Sequence, residues 1–331
     1  MLPTSAQNSS MQVISGGNRY TLPVSPPHSP HSSQFFNLFL LPLSAMFVFM
    51  KKKKLVTNLI IAVALILLAI GSLNFSSSAS TKASTKKYPY GVFIGADSDA
   101  ISKMKSYEIV VIDAQYFTKK EIRQLKDSGC TVYSYINVGS IEDFRPYYED
   151  YKHLSLGAYE NWEEESWIDV SDKSWQKFIT DKLAKELVAK GIDGFFVDNT
   201  DVYYCYKTQK IYEGLTTILK GLKKTGKYVC INGGDTYITE FITKNGSADD
   251  VADAVNQESV FSEIDWDNDS FTKKSAEDSK YFKEYVELAA GKGLDIYLLE
   301  YTTDNKLIGQ IKKYCSDNDF KYYISDSLEL K

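Results

Sequence analysis

The sequence predicts an α/β fold of the (β/α)8 or TIM-barrel type, and three observations support this prediction. From Tyr88 onward, short apolar runs alternate with amphipathic stretches, which is typical of a parallel sheet covered by helices. Each run has the length and apolar content of a strand that is buried on both faces. Eight such runs over roughly 240 residues match the usual strand count and size of this barrel.

Each predicted strand is rich in β-branched or aromatic residues. In chain order the strands are Gly91–Ala96, Ile109–Ala114, Thr131–Val138, Gly194–Asp198, Tyr228–Asn232, Ala252–Asn256, Asp295–Glu300 and Lys321–Ser325. The helix-like segments between them are Thr118–Ser128, Ser174–Lys190, Thr208–Thr225, Ser279–Gly291 and Asn305–Cys315. Thr118, followed three residues later by Glu121, has the pattern of a capping box at the start of a helix. A doubly wound open sheet is the main alternative, but residues 95–98 lack the Gly-rich phosphate turn expected after its first strand.

The N-terminal region differs in composition from the predicted barrel. Residues 1–49 are rich in Ser, Pro and Asn, and we expect them to be unstructured or to result from a start assigned too far upstream. Within residues 50–87, the lysines Lys51–Lys54 precede the apolar run Leu59–Ile70, which predicts a signal peptide or a membrane anchor followed by a polar linker. The lysines orient this segment so that residues 88–331, the predicted single catalytic domain, are exported. We therefore expect a protein that is secreted or anchored at the outer side of the membrane.

Composition disfavours several classes of function. The formal net charge of −5 argues against a nucleic-acid-binding surface. His153 is the single histidine of the predicted domain, which disfavours a Ser-His-Asp triad or an imidazole-based zinc site. The four cysteines form no CxxC pattern. We expect a monomer that uses no metal and no cofactor, binds no nucleic acid and meets a membrane only through its N-terminal segment.

Carboxylates and amides recur where the predicted strands end. These residues are Asp113, Asn137, Asp198, Asn199, Asp201, Asn232, Glu258 and Glu300. Any one of them could simply cap the next helix or shape a turn. Their recurrence at one rim instead suggests acid/base chemistry or cation binding, because neighbouring carboxylates push their pKa values apart. Glycoside hydrolysis is the main reaction class that runs on two carboxylates alone.

One connection is much longer than the others. Residues 139–167, after the third predicted strand, contain no convincing helix. A loop of this length is usually functional, and in a barrel it would lie over the C-terminal face, where active sites form.

Five segments of the chain resemble glycoside hydrolase family 114, the endo-α-1,4-polygalactosaminidases and their bacterial relatives. They are GSIEDFRP (139–146), WIDV (167–170), GIDGFFVDNTD (191–201), AVNQE (254–258) and LEY (299–301). The resemblance runs from Tyr88 to Leu330, and it implies a (β/α)8 barrel that cleaves α-linked, partly deacetylated galactosaminogalactan-like polymers. It also implies a catalytic pair at the ends of the fourth and sixth strands, here Asp198 and Glu258. By analogy with barrel α-glycosidases that place their acids likewise, we assign Asp198 as nucleophile and Glu258 as general acid/base.

We expect a cationic amino-sugar chain to lie across the acidic rim. The predicted substrate-binding residues are Asp113, Tyr116, Tyr135, Asn137, Glu142, Arg145, Asn199, Asp201, Asn232, Glu300 and Tyr301. Arg145 is expected either to orient Glu142 or a catalytic acid, or to tether the long loop through an ion pair. A carboxyl separation of about 5–5.5 Å would indicate a retaining mechanism, and about 6.5–9.5 Å an inverting one. Two alternatives stay open, a non-catalytic polysaccharide-binding barrel at the cell surface and an enzyme for a different glycan.

Overall fold

Eight parallel strands form the barrel that the sequence predicts. The structure, a computed structural model, describes residues 88–160 and 162–331, so the segments predicted within residues 1–87 lie outside the described residues. The strands are β1 (Tyr88–Phe93), β2 (Tyr107–Ile112), β3 (Thr131–Asn137), β4 (Ser140–Glu142), β5 (Ser155–Ala158), β6 (Glu165–Ile168), β7 (Gly194–Asp198), β8 (Tyr228–Asn232), β9 (Ala254–Glu258), β10 (Ser262–Asp265), β11 (Ser270–Lys273), β12 (Asp295–Tyr301) and β13 (Lys321–Ser325).

The barrel strands follow one another around the sheet in the order β1-β2-β3-β7-β8-β9-β12-β13. Strand β13 packs against β1, with the rings of Phe93 and Tyr323 5.6 Å apart, so the barrel is nearly closed. The strands β7, β8 and β13 begin and end where the sequence predicts, while β9 begins and ends two residues later than predicted. This shift matters because it places Glu258 within the strand, at its last position.

Most of the helices cover the outside of the barrel. They are α1 (Ile101–Met104), α2 (Lys119–Asp127), α3 (Tyr148–Tyr151), α4 (Lys173–Lys177), α5 (Ala184–Lys190), α6 (Val202–Cys205), α7 (Gln209–Lys223), α8 (Asp235–Asn245), α9 (Ala276–Ala290) and α10 (Asn305–Asn318). A π-helical turn, Phe178–Leu183, joins α4 to α5. The capping box at α2 is confirmed, since Thr118 and Glu121 exchange both expected hydrogen bonds. Among the described residues, no helix is both long and apolar enough to cross a membrane.

The barrel interior is lined largely by tyrosines. Its buried rings include Tyr90, Tyr133, Tyr135, Tyr297 and Tyr301. The rings of Tyr90 and Tyr297 stack at 4.7 Å. Five of the 24 tyrosines therefore fill the barrel, where each ring can bury its apolar face while its hydroxyl reaches a polar partner.

Two segments project from the C-terminal ends of barrel strands. The first, called here the β3–β7 insertion, contains β4, β5 and β6 as a three-stranded antiparallel sheet together with α3. This sheet replaces the irregular loop that the sequence suggests for residues 139–167. The second is the antiparallel β10–β11 hairpin, which follows β9. Both segments lie at the rim where the predicted site residues end their strands.

Candidate active site

The acid pair, Asp198 and Glu258, points into the mouth of the barrel. Side chains of a strand alternate between its two faces. On β7 the interior residue Phe196 precedes Asp198 by two positions, and on β9 the interior residue Ala254 precedes Glu258 by four. The same alternation turns Gln257 toward the helices, so Glu258 is the strand-end residue of β9 that faces Asp198.

One amide joins the two carboxylates of the acid pair. Nδ2 of Asn232, at the end of β8, donates to Oδ1 of Asp198 at 2.9 Å and to Oε1 of Glu258 at 2.7 Å. The two N–H bonds of an amide diverge by about 120°, so these two oxygens lie roughly 5 Å apart. Asn232 therefore sets the spacing of the pair.

The orientation of the Asn232 amide is fixed from inside the barrel. Asn256 donates from Nδ2 to Oδ1 of Asn232 at 2.7 Å, and the Tyr90 hydroxyl donates to Oδ1 of Asn256 at 3.0 Å. All three side chains are buried. Because Oδ1 of Asn232 already accepts a hydrogen bond, its NH2 group must face the carboxylates.

The backbone turns sharply after each member of the acid pair. Asn199 follows Asp198 with φ of 63°, and Ser259 follows Glu258 with φ of 55°. This left-handed region is uncommon for residues other than glycine, and such conformations cluster at functional sites. Gly139 lies against the first turn, where an added Cβ would come 1.7 Å from the Asn199 carbonyl oxygen. Glycine is therefore required there for β3 and β7 to approach each other.

The acid pair titrates above the usual range of carboxylates. Burial, followed by the charge of Glu258, raises the pKa of Asp198 to about 6, while a hydrogen bond from Asn232 lowers it. Burial also raises the pKa of Glu258, and hydrogen bonds from the Tyr301 hydroxyl, at 2.7 Å, and from Asn232 lower it. Two buried carboxylates joined by one amide oppose each other's charge, so the pair ionises in two separate steps. The free pair thus retains one proton up to about pH 6.

A third carboxylate beside the pair, Glu165 on β6, is absent from the residues that the sequence predicts for the site. Its Oε1 accepts hydrogen bonds from Asn137 Nδ2 and Ser140 Oγ, both at 2.8 Å. In the register of β4 with β6, Glu165 lies directly opposite Glu142. Burial, followed by the charges of Glu142 and Asp198, raises the pKa of Glu165 to about 8. Glu165 is therefore largely protonated at neutral pH, which relieves repulsion between the two glutamates.

Asp201 and Asp235 form a second pair of carboxylates next to the first. Both residues of the turn 233–234 are glycines with positive φ, and the backbone N–H of the second donates to Oδ1 of Asp201 at 3.2 Å. An added Cβ on the first glycine would come 2.8 Å from Oδ2 of Asp201. Burial, followed by the charges of Asp235 and Asp198, raises the pKa of Asp201 to about 7.

Arg145 lies in a buried ion cluster in the β3–β7 insertion. Its guanidinium donates to both carboxylate oxygens of Glu142, at 3.1 and 2.8 Å, and to Oδ2 of Asp113 at 2.7 Å. The Tyr135 hydroxyl also donates to Glu142, at 3.2 Å. Arg145 thus both orients Glu142 and ties the insertion to the end of β2.

The sequence profile of glycoside-hydrolase family GH114 matches residues 73–327. The chain belongs to glycoside hydrolase family 114. This confirms the resemblance seen in the sequence, and the chain is accordingly a glycosidase.

Comparisons with individual proteins agree with this assignment at the level of the fold. An uncharacterised protein of Thermotoga maritima is 25% identical over 157 residues, 42% of this chain, and the match spans about half, 48%, of that relative. The glycoside hydrolase domain of PelA from Pseudomonas aeruginosa superposes with a TM-score of 0.63 at 18% identity, over 73% of this chain and 95% of that one. Aspergillus fumigatus Ega3, solved in complex with galactosamine, gives 0.56 at 16% identity, over 78% and 97% of the two chains. TtGalA, an α-galactosidase from Thermus thermophilus, superposes with a TM-score of 0.52 at 10% identity, over 72% of this chain and 57% of that one. At these identities the likeness to the solved structures shows the shared barrel.

Several residues predicted to bind substrate have internal partners in this family 114 enzyme. Glu300 is fully buried, and its carboxylate accepts hydrogen bonds from the backbone N–H groups of Phe261 and Ser262. The alternation of side chains along β12 explains why Glu300 is buried away from the mouth: Tyr301 faces the barrel interior, so its neighbour Glu300 faces the outer layer. Glu300 holds the chain between β9 and β10 and lies away from the rim, so the prediction that it contacts substrate is wrong.

The buried amides Asn137 and Asn199 connect the barrel to the insertion. Asn199 Nδ2 donates to Ser140 Oγ at 2.8 Å, and its Oδ1 accepts from the Tyr159 hydroxyl at 3.0 Å. Asn137 Oδ1 accepts from the Ser140 backbone N–H at 3.0 Å. Tyr116, by contrast, is 60% exposed, and its ring lies 5.8 Å from the Arg145 guanidinium carbon.

Proposed function

We propose that this glycosidase cleaves an α-linked, galactosamine-containing polysaccharide by a retaining double displacement that uses the acid pair. The observation that carries the proposal is the Asn232 amide, which bonds one oxygen of each carboxylate and holds them roughly 5 Å apart. This spacing matches retaining glycosidases, whereas inverting enzymes leave about 6.5–9.5 Å for a water.

The proposed roles follow the analogy with other barrel α-glycosidases. Asp198 attacks the anomeric carbon and forms a glycosyl ester, while Glu258 protonates the departing oxygen and then activates a water. The pair gives up its two protons in separate steps, and in the proposed mechanism the proton that remains after the first step lies on Glu258 when the substrate binds. The Tyr301 hydroxyl, 2.7 Å from Oε2 of Glu258, is placed to stabilise that residue when it becomes charged.

The acidic surroundings of the pair support an amino-sugar substrate. Glu165, Asp201 and Asp235 add three carboxylates to one mouth, and burial with mutual repulsion raises the pKa of Glu165 to about 8 and that of Asp201 to about 7. A protonated amine in this mouth would offset the repulsion, because an opposite charge nearby favours the ionised carboxylate. A neutral sugar offers no such compensation.

Chemical rescue tests the function and the split of roles together. We expect Asp198→Asn and Glu258→Gln to lose at least roughly a thousandfold in kcat on α-1,4-linked galactosamine oligomers. Azide should rescue the Asp198 variant to an inverted β-glycosyl azide and the Glu258 variant to a retained α-azide, because azide replaces the nucleophile in the first and attacks the glycosyl ester in the second. Exchange of the two products would reverse the roles. Full activity in either variant would contradict the proposed pair.

Export forms part of the proposed function. The lysines Lys51–Lys54 and the apolar run Leu59–Ile70 support a domain that acts on polysaccharide outside the cell. The mass of the protein recovered from the medium or from membranes distinguishes a cleaved signal from a retained anchor. Recovery of all the protein from the cytosol would contradict export.

A further inference from the structure

Two exposed tryptophans contact each other at the rim of the barrel. Trp162 is 40% exposed and Trp266 44% exposed, and their rings lie edge to face with centroids 6.0 Å apart. Trp162 lies between β5 and β6 of the β3–β7 insertion, and Trp266 lies in the turn of the β10–β11 hairpin. The contact thus joins two segments that leave the barrel at different strands.

The two segments flank the strands that carry the site. In the sheet, β3 and β9 stand on either side of β7 and β8, which end in Asp198 and Asn232. The tryptophan contact therefore connects the segment after β3 with the segment after β9, the strand that ends in Glu258.

Short chains of contacts link each tryptophan segment to the acid pair. On the Trp162 side, the Tyr159 hydroxyl donates to Asn199, the residue after Asp198. On the Trp266 side, the ring of Phe271 in β11 lies 5.7 Å from the ring of Tyr301, whose hydroxyl donates to Glu258. These contacts place both projecting segments beside the acid pair, so a sugar chain bound at the pair can extend toward the tryptophans.

The two exposed indoles offer the kind of surface that binds a sugar. The chain has four tryptophans, and the other two, Trp167 and Trp175, are buried in the core as their large apolar surface favours. An indole offers a flat apolar face to the C–H face of a pyranose ring, and it attracts an ammonium group through its π-electrons. An amino sugar has both features.

We propose that Trp162 and Trp266 form an aromatic subsite that stacks on a hexosamine ring of the polymer, beyond the ring that lies on the acid pair. The subsite deepens the proposed function and rests on it. Because each ring comes from a different projecting segment, a bound sugar exchanges the edge-to-face contact between the indoles for contacts with both. The two segments then hold the polymer across the site.

Substrate length provides the test. We compare the full chain with Trp162→Ala, Trp266→Ala and the corresponding Phe variants on long and short α-1,4-linked galactosamine oligomers. Each Ala variant should lower the ratio of kcat/KM on the long oligomer to that on the short one by about fivefold to tenfold, and each Phe variant by less. Leu288→Ala, which removes an exposed apolar side chain from α9, serves as the control and should leave the ratio unchanged.

Binding without turnover gives a second readout. In the Asp198→Asn background, the long oligomer should reduce the quenching of tryptophan fluorescence by acrylamide, because two of the four tryptophans are exposed and both would be covered. An unchanged ratio of long to short substrate, or an equal loss on both, would overturn the subsite while the glycosidase proposal stood. If the unmodified chain neither binds nor cleaves these oligomers, the proposed substrate itself is wrong.

Discussion

Glu165→Gln separates the charge of Glu165 from its hydrogen bonds. The glutamine oxygen can accept the bonds from Asn137 and Ser140 that Oε1 of Glu165 accepts at 2.8 Å. The substitution removes the proton equilibrium of a carboxyl whose pKa burial and the charges of Glu142 and Asp198 raise to about 8. Any change in stability should therefore depend on pH.

The sign and size of the effect follow from proton linkage. The folded pKa of Glu165 lies above its ordinary value of 4.5, so the folded state keeps a proton that the unfolded chain releases, and stability falls as pH rises from 4.5 to 8. At pH 7, ionisation stabilises the unfolded carboxylate by about 3.4 kcal/mol, at about 1.36 kcal/mol per pH unit, and the folded one by almost nothing. Allowing for partial solvent screening, Glu165→Gln should raise the free energy of unfolding by up to about 3 kcal/mol at pH 7 and by little at pH 4.5.

Urea unfolding followed by tryptophan fluorescence, at pH 4.5 and pH 7, measures this difference. Glu164→Gln provides a matched control, because Glu164 is the exposed neighbour on the same segment. It should change stability by less than about 0.5 kcal/mol at both pH values. If Glu165→Gln raises the free energy of unfolding equally at the two pH values, or lowers it at pH 7, the conclusion that Glu165 is buried and protonated is refuted.

Two further substitutions test the shared amide of the acid pair and the buried ion cluster of the β3–β7 insertion. In the unmodified enzyme, kcat/KM should fall above pH about 6, where the pair gives up its second proton. Asn232→Ala should shift this fall to higher pH and lower kcat by roughly a hundredfold, because both carboxylates lose a hydrogen-bond donor. If kcat/KM of the variant falls at the same pH as that of the unmodified enzyme, the role of the shared amide is contradicted. Arg145→Lys should lower the free energy of unfolding by about 3–5 kcal/mol, because one ammonium cannot replace a fork that bonds Glu142 twice and Asp113 once in a buried cluster. Lys185→Met, which breaks an exposed ion pair, should cost less than about 1 kcal/mol in the same urea titration, and similar losses in the two variants would disprove the special role of Arg145.

Strand alternation explains which part of the site the sequence predicts correctly. The apolar body of β7 shows where the strand lies, and counting from Phe196 places Asp198 in the barrel mouth. The same counting along β12 places Tyr301 in the mouth and Glu300 in the outer layer. Position at a strand end alone does not separate the two, so the error at Glu300 arises from reading the end of the strand without its face.

The place of Glu165 could not be predicted in this way. It belongs to a run of three glutamates, of which the first two are exposed, and only the pairing of β4 with β6 brings the third against Asn137 and Ser140. Such a register is set by contacts between distant parts of the chain, and short polar strands specify it weakly in their own sequence. The contact between Trp162 and Trp266 depends likewise on how two separate segments fold.

The protonation of the carboxyl groups in the barrel mouth affects which sugars the mouth can bind well. Burial and neighbouring acids raise the pKa of Glu165 to about 8 and that of Asp201 to about 7, so at neutral pH part of the negative charge that the sequence suggests is masked by protons. An ammonium group close to these carboxyls stabilises their ionised form and gains two partners that were neutral before it arrived. A hydroxyl or acetamido group at the same place leaves the protons where they are and gains hydrogen bonds alone. On the proposed substrate, the preference for deacetylated over acetylated sugars should therefore rise with pH through about 7 to 8, where these two carboxyls lose their protons, as long as the amine of the sugar stays protonated.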